Sequence, residues 1–438
     1  MPGPTPGFQS THISTEVRKV LEASDPQIRN LLDTGWVLVS AIFVFFMQAG
    51  FKCLEVGLTR RKSATTVAMK NLIDWVIAVL FFFFIGFGLM FGHSAGGLIG
   101  TDLFALKALQ QPGSHGLGVV FFLFQLAFAG TACTIISGAM SERSKFIAYL
   151  ICALVVSALI YPVFGHWAWG GMYWGSKDGW LAKLGFIDFA GSSVVHSTGA
   201  WVSLVGIWMV GPRTGRFDAD GTPRVIRANS PAYATLGVFI LWVGWWGFNG
   251  GSTLALNEDV GPVLLNTNLA AAMGGLVALA QVFVNARHDD IVEKFLGGVL
   301  GGLVAVTAGC QVLDPLGALI VGTLAGLVHN LGSDLLVRRW LDDPVSAIPV
   351  HGFCGVLGTL CVGLFGRSEH LHHDRLTQIG VQALGAAVCF VWATTVAYAT
   401  FWMLKRTVGL RVSVTEEDIG AGLTPDHDLA NASAGRKA

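Results

Sequence analysis

Two histidines stand where polar side chains are rare. His196 lies in VVHSTG and His351 in PVHGFCG, each inside a long apolar run, and no charged residue follows His196 until Arg213. An imidazole titrates near neutrality and has two ring nitrogens, one donating and one accepting when neutral. Alone in hydrocarbon it costs on the order of a few kcal/mol unless both nitrogens find partners. A lone buried histidine is commonly a packing residue. Two that face each other satisfy one nitrogen apiece and leave the other for a solute or a proton.

The residues around them fit handling of a small cation. Asp188 opens the segment that holds His196; its carboxylate can cap the helix by accepting backbone N–H bonds, and its charge also favours a cation nearby. Phe124 and Phe128 in FLFQLAFAG, Trp169 in GHWAWGG, and Phe248 with Ser252 in WWGFNGGST stand beside glycines, which let backbone or a small solute come close. A tryptophan face beside a hydroxyl can hold a cation by roughly 1–2 kcal/mol when partly desolvated.

Other candidates carry less. SEHLHHDR, with His370, His372, His373 and Asp374, has metal-binding residue types but no helical ligand spacing, and is expected to be a solvated loop. Lys52 and Glu55 are spaced to pair on one helix face. The seven cysteines, Cys53, Cys133, Cys152, Cys310, Cys354, Cys361 and Cys389, show no CxxC spacing and read as small buried hydrophobes. No P-loop, GxSxG or HExxH occurs, so hydrolytic catalysis has no support, and no cofactor or metal is expected. Haem held between paired histidines is the remaining redox alternative, which the colour of the purified protein would reveal.

Long apolar elements must position these groups. The 438 residues are 53% hydrophobic and 13% charged, against about 25% charged in an ordinary soluble domain. Apolar runs begin near Trp36, Leu72, Leu117, Phe146, Phe189, Tyr233, Val263, Phe295, Leu316, Val350 and Val381. They predict an all-α polytopic membrane protein of eleven transmembrane helices. The net charge of zero gives no sign of a nucleic-acid partner. The polar lead, residues 1–32, has no signal-peptide core and at most an amphipathic turn near Val17–Leu21; the membrane domain is 33–406, and a polar tail fills 407–438. Loops after odd-numbered segments, with the tail, hold roughly twice as many lysines and arginines as the opposite loops. The N-terminus is therefore expected outside and the C-terminus in the cytoplasm. Division into five, five and one segments makes the second five an inverted copy of the first, and each copy ends on a histidine-bearing segment.

DFAGSSVVHSTGAWVSLVG, GWWGFNGGST, GAMSER and VHGFCGVLGTL together resemble the signature stretches of the Amt/Mep/Rh ammonium transporter family, from about Asp33 to Arg411. The resemblance implies a homotrimer in the cell membrane, with one pore per protomer. It makes Trp169, Phe128 and Ser252 the outer ammonium recruitment site, Phe128 and Phe248 a stacked gate, Asp188 the acidic residue at the entrance, and His196 and His351 the twin histidines of a hydrophobic pore. Ammonium would be deprotonated and ammonia conducted; a proton that follows by a separate relay makes transport electrogenic, and a proton that stays outside makes the protein an ammonia channel. It also implies PII-type signalling proteins as partners at the cytoplasmic face. The first segment, FMQAGFKCLEVGLTRRKS, is similar to a subset that includes sensor-fused members, so an ammonium-sensing receptor with little transport is the alternative. The tail, EEDIGAGLTPDHDL, approximates the family's tail motif around Gly422, Leu423 and His427.

Overall fold

The structure, a computed structural model, describes residues 26–110, 115–285 and 290–420. The amphipathic turn near Val17–Leu21 and the tail positions Gly422, Leu423 and His427 lie outside the described residues. The chain is built of helices α1 (Pro26–Leu58), α2 (Arg61–Phe91), α3 (His115–Ala139), α4 (Phe146–Trp169), α5 (Ser192–Val210), α6 (Pro231–Gly251), α7 (Val260–Val284), α8 (Ile291–Thr307), α9 (Pro315–Arg338), α10 (Ile348–Phe365), α11 (Arg375–Arg406) and the short α12 (Val414–Ile419). A two-residue hairpin, Ser94–Ala95 with Ile99–Gly100, follows α2.

Among the described residues ten of these helices are long and apolar enough to cross a membrane. The element expected from Phe295 is α8, a helix of 17 residues and about 26 Å, short of a hydrocarbon core of about 30 Å. α1 begins before the expected boundary at residue 33: PQIRNLL, with Ile28, Leu31 and Leu32 exposed beside polar residues, already belongs to the helix.

Helix starts follow local chemistry. Ser230 accepts from the Tyr233 N–H ahead of Pro231, Asp314 accepts from Gly317 N–H ahead of Pro315, and Asp374 accepts from Leu376 and Thr377 N–H. Each cap satisfies donors that a helix N-terminus leaves open, and proline at the first position has no N–H to lose.

α1 and α6 pack along each other at the centre. Glycine makes the approach possible: a Cβ at Gly237 would stand 2.7 Å from the Gly50 carbonyl oxygen. α2, α3 and α4 gather on one side and α7, α8 and α9 on the other; α3 packs on α5 as α8 packs on α10. This correspondence is the expected repeat. α11 lies across α5 and α10. α5 and α10 both open with a π-helical turn, Ser192–Ser197 and Ile348–Phe353. The wider turn is common at functional sites, and each of these holds one of the two histidines.

Candidate functional site

The two π turns bring the histidines together. His196 Nδ1 stands 3.2 Å from His351 Nδ1, with the rings 5.2 Å apart and nearly parallel. His196 is 0% and His351 4% exposed. The shared contact requires one ring to donate and the other to accept. Among the described residues the Nε2 of His196 has no hydrogen-bond partner, which is costly in an apolar site unless something polar visits it.

A column of rings leads to this pair. Trp169 lies edge-on to Phe128 at 6.3 Å, Phe128 stacks on Phe248 at 4.0 Å, and Phe248 stacks on His196 at 5.3 Å. On the far side Phe51 stands 6.1 Å from His351. Phe124 packs against Phe128 at 4.7 Å. Ser252 is half-buried and spends its hydroxyl proton on the Phe248 carbonyl, 2.8 Å away, which leaves its lone pairs open.

Asp188 caps the π turn of α5. Its carboxylate accepts from the N–H of Gly191 at 3.1 Å, Ser193 at 2.9 Å and Val194 at 2.8 Å. Its own carbonyl accepts from Trp169 Nε1 at 2.7 Å, so cap and tryptophan are fixed to each other.

Sequence reasoning missed three parts of this region. Trp245 flanks His196 at 5.2 Å and is held by a bond from its Nε1 to Thr307. Phe51 closes the column. Asp343 does for α10 what Asp188 does for α5, accepting from Ile348 N–H at 2.8 Å. The spacing that reveals it, aspartate to histidine in DFAGSSVVH and again in DPVSAIPVH, is legible in the chain. Burial pushes Asp343 up to about 6, against backbone bonds from Ile348, Ala347 and Val345.

The face that carries Asp343 is ionic. Arg213 binds Asp342 at 2.8 Å and Glu142 at 2.5 Å, Arg60 also binds Glu142, and Arg143 donates to the Asp342 carbonyl at 2.6 Å. Burial opposes ionisation of Asp342, but the charge of Arg213, then of Arg143, holds its carboxyl well below the usual range. Glu142 is likewise lowered against its burial by Arg213 and Arg60. Glu417 of α12 joins the set, accepting from Arg411 at 2.7 Å and Thr214 N–H at 2.6 Å. Beside it a cavity of about 490 Å³ is lined by Arg213, Arg216, Arg227, Glu293, Lys294 and Asp343, among others.

One expectation is corrected and one holds. Lys52 and Glu55 do not share a helix face: Lys52 is exposed, while Glu55 is buried and accepts from Asn71 at 2.9 Å. The segment after α10 is a solvated loop as expected: His370, His372, His373 and Asp374 are exposed, His372 meets Lys177 at 2.9 Å, His373 bonds the Leu184 carbonyl and Asp374 caps α11. Among the described residues no group of three or more His, Cys, Asp or Glu could hold a metal.

The chain has relatives throughout its length. The profile of the Ammonium Transporter Family matches residues 35–430. A putative ammonium transporter of Synechocystis is 45% identical over 399 residues, covering 90% of this chain and 73% of its own. The ammonium transporter Amt2 of Archaeoglobus fulgidus is 42% identical over 406 residues, covering 89% and 86%. Among solved structures, one described as a sensor Amt protein superposes with a TM-score of 0.88 at 42% identity, covering 91% of this chain and 99% of its own. Mep2 of Saccharomyces cerevisiae gives 0.81 at 25% identity, covering 90% and 92%.

Proposed function

Since this chain belongs to the Ammonium Transporter Family, a family of membrane transporters and not of enzymes, we propose that it carries ammonium through the plasma membrane by the ring column. Trp169, Phe128 and Ser252 recruit the cation: aromatic faces attract it, and the free lone pairs of Ser252 accept from its N–H groups. Asp188 shapes this mouth and adds negative charge. Phe128 and Phe248 are the gate, their 4.0 Å stack leaving no room for a hydrated ion between them.

Selection follows from charge. Ammonium and potassium are similar in size, so no sieve separates them, and moving either ion intact into low dielectric costs on the order of tens of kcal/mol. Ammonium alone can surrender a proton and cross as ammonia. Below the gate, His196 and His351 offer hydrogen bonds to ammonia on an apolar path and can pass the proton separately, which makes transport electrogenic. The observation that carries this reading is the 3.2 Å histidine contact at the foot of the phenylalanine stack, with His196 Nε2 unpartnered.

The basic face is the cytoplasmic one, by its excess of arginine and lysine. Arg213 follows α5 and its partner Asp342 follows α9, which supports an even number of crossings between them, α8 included, and hence eleven in all. The functional unit is a homotrimer, and a PII-type signalling protein docks on the cytoplasmic face near the ionic loops.

Solid-supported membrane electrophysiology on purified, reconstituted protein tests the proposal. Ammonium pulses should evoke current and potassium pulses of equal concentration should not; equal responses would refute it. A receptor with little flux is the second reading, favoured by the likeness to the solved sensor Amt protein. It predicts saturable ammonium binding with no current in the same sample.

A further inference from the structure

The end of α8 meets both of the parts that hold His196 in place. Trp245 of α6 lies along the His196 ring at 5.2 Å and 19°, and its Nε1–H donates to Thr307 Oγ1 at 2.9 Å. The Thr307 hydroxyl spends its own proton on the Leu303 carbonyl at 2.7 Å, which leaves its lone pairs for the indole. The backbone that leads to His196 reaches the same residues. Ala190 N–H donates to the Thr307 carbonyl at 3.1 Å and Phe189 N–H to the Ala308 carbonyl at 3.0 Å. Ser192 Oγ accepts from Ala308 N–H at 2.7 Å and donates to the Val304 carbonyl at 2.6 Å. Carbonyls that a helix end leaves open thus take up the N–H groups ahead of the π turn of α5.

The imidazole depends on these contacts. The torsion that turns a histidine ring about its Cβ–Cγ bond is broad, so a rotamer alone does not fix where Nε2 points. Among the described residues the His196 ring has one hydrogen-bond contact, to His351 Nδ1 at 3.2 Å, and flat neighbours in Trp245 at 19° and Phe248 at 25°. An indole turns as loosely until its N–H is bound. Thr307, Trp245 and Ser192 are all fully buried. α10 confines the same helix end: Gly358 leaves no room for a Cβ against the Ala305 carbonyl, and Ser193 Oγ meets Thr359 Oγ1 at 2.6 Å.

We infer that Thr307 is a positioning residue for His196: it holds the Trp245 indole flat on the imidazole and ties the π turn of α5 to the same point, which keeps Nδ1 on His351 and Nε2 open to the solute. The inference rests on conduction through the histidine pair. Thr307 acts without touching the solute. When its hydroxyl is removed, the indole N–H is buried without a partner, a costly state that turning the ring relieves. The imidazole then gains a second orientation, in which Nε2 leaves the path. Recruitment at Trp169 and Ser252 is untouched by this change.

Electrophysiology and nitrogen-15 NMR of labelled histidine, both on the full-length reconstituted protein, test this. Thr307→Val keeps the shape without the hydroxyl and should lower maximal ammonium-evoked current about fivefold at unchanged half-saturation. Thr307→Ser retains the hydroxyl and should return most of that current. Trp245→Phe removes the bonded partner, so adding Thr307→Val to it should cost little more. The ring nitrogens of His196, identified by their loss in His196→Gln, should change shift in Thr307→Val and recover in Thr307→Ser. Wild-type current or wild-type His196 shifts in Thr307→Val would overturn the inference. So would losses that simply add in the double variant, or a Thr307→Ser protein as impaired as Thr307→Val. Should Thr307→Val fail to fold, Trp245→Phe decides, and wild-type shifts and current in it would overturn the inference. A wild type without ammonium current would defeat the transport reading instead, and the His196 shifts would still decide this one.

Discussion

The segments that carry His196 and His351 are built alike and finish differently. In each, an aspartate caps a π-helical turn and the imidazole stands at the same spacing from it, Asp188 to His196 and Asp343 to His351. Around Asp188 the neighbours are aromatic: Trp169 bonded to its carbonyl, then Phe128 and Phe248. Around Asp343 they are ionic, with Asp342, Arg213, Glu142 and Arg143 engaged with one another. Groups matched to each other fix loops in place and have little left for a solute. Groups left half-satisfied, as His196 Nε2 and the Ser252 lone pairs are, remain available. The repeat keeps what the middle of the path needs, and the two ends are fitted to different tasks.

The largest expected effect comes at the shared middle. His351→Ala removes the partner of His196 and should lower ammonium-evoked current at least tenfold, equivalent to about 1.4 kcal/mol, with the protein still folded. Undiminished current would take the histidines out of the mechanism and reduce the repeat to a packing motif. Next comes Asp342→Asn at the ionic end. Breaking a buried charge pair costs roughly 3–5 kcal/mol, so the melting temperature should fall while the folded fraction still transports. The sign with pH is fixed by the depressed Asp342 carboxyl. Its stabilisation is complete above the unfolded value of about 3.9 and is lost as pH falls towards the folded value. Wild type should therefore lose thermal stability on acidification below about pH 4, and Asp342→Asn should lose less. Equal acid sensitivity would show that the network is not what holds this face.

Much of this contrast could be read in the chain, and the exceptions have physical causes. Helix positions follow from apolar runs bounded by Pro and capping residues, as at Ser230-Pro231 and Asp314-Pro315. Both histidines were legible because imidazole in an apolar run stands out. Asp343 was not singled out because DDP sits among loop residues, where acids are ordinary. The ion pair between the loops after α5 and α9 joins Arg213 to Asp342 across more than a hundred residues, and no local periodicity encodes such a partner. Glu55 was misplaced by the same limit: helical spacing offers Lys52, whereas burial turns Glu55 towards Asn71 on the next helix. α8 is legible as an apolar run, but where its 17-residue helix ends is not marked by a proline or a capping side chain.

At the aromatic end the expected effect is smaller and of a different kind. Trp169→Leu removes a cation–π face worth roughly 1–2 kcal/mol, so half-saturation for ammonium should rise about five- to thirtyfold. Maximal current should be retained, because the gate and the histidines are untouched. A fall in maximal current at unchanged half-saturation would move Trp169 from recruitment to conduction, and the two ends would differ less than their chemistry suggests.

The smallest effect on transport should come from the last contact of the ionic end. Glu417 is bound by Arg411, by Arg60 at 3.3 Å and by both the N–H and the hydroxyl of Thr214. Glu417→Gln keeps the side chain's size and one acceptor but removes the charge that two guanidiniums share. Hydrogen bonds to charged groups contribute about 1.5–3 kcal/mol, so amide exchange across residues 413–420 should speed up by about tenfold or more, while current changes less than twofold. That pairing of outcomes assigns the ionic end to holding the chain's C-terminal segment. A current lost together with protection would instead make the segment part of the conducting state, and the division between a path that is kept open and a face that is kept tied would have to be given up.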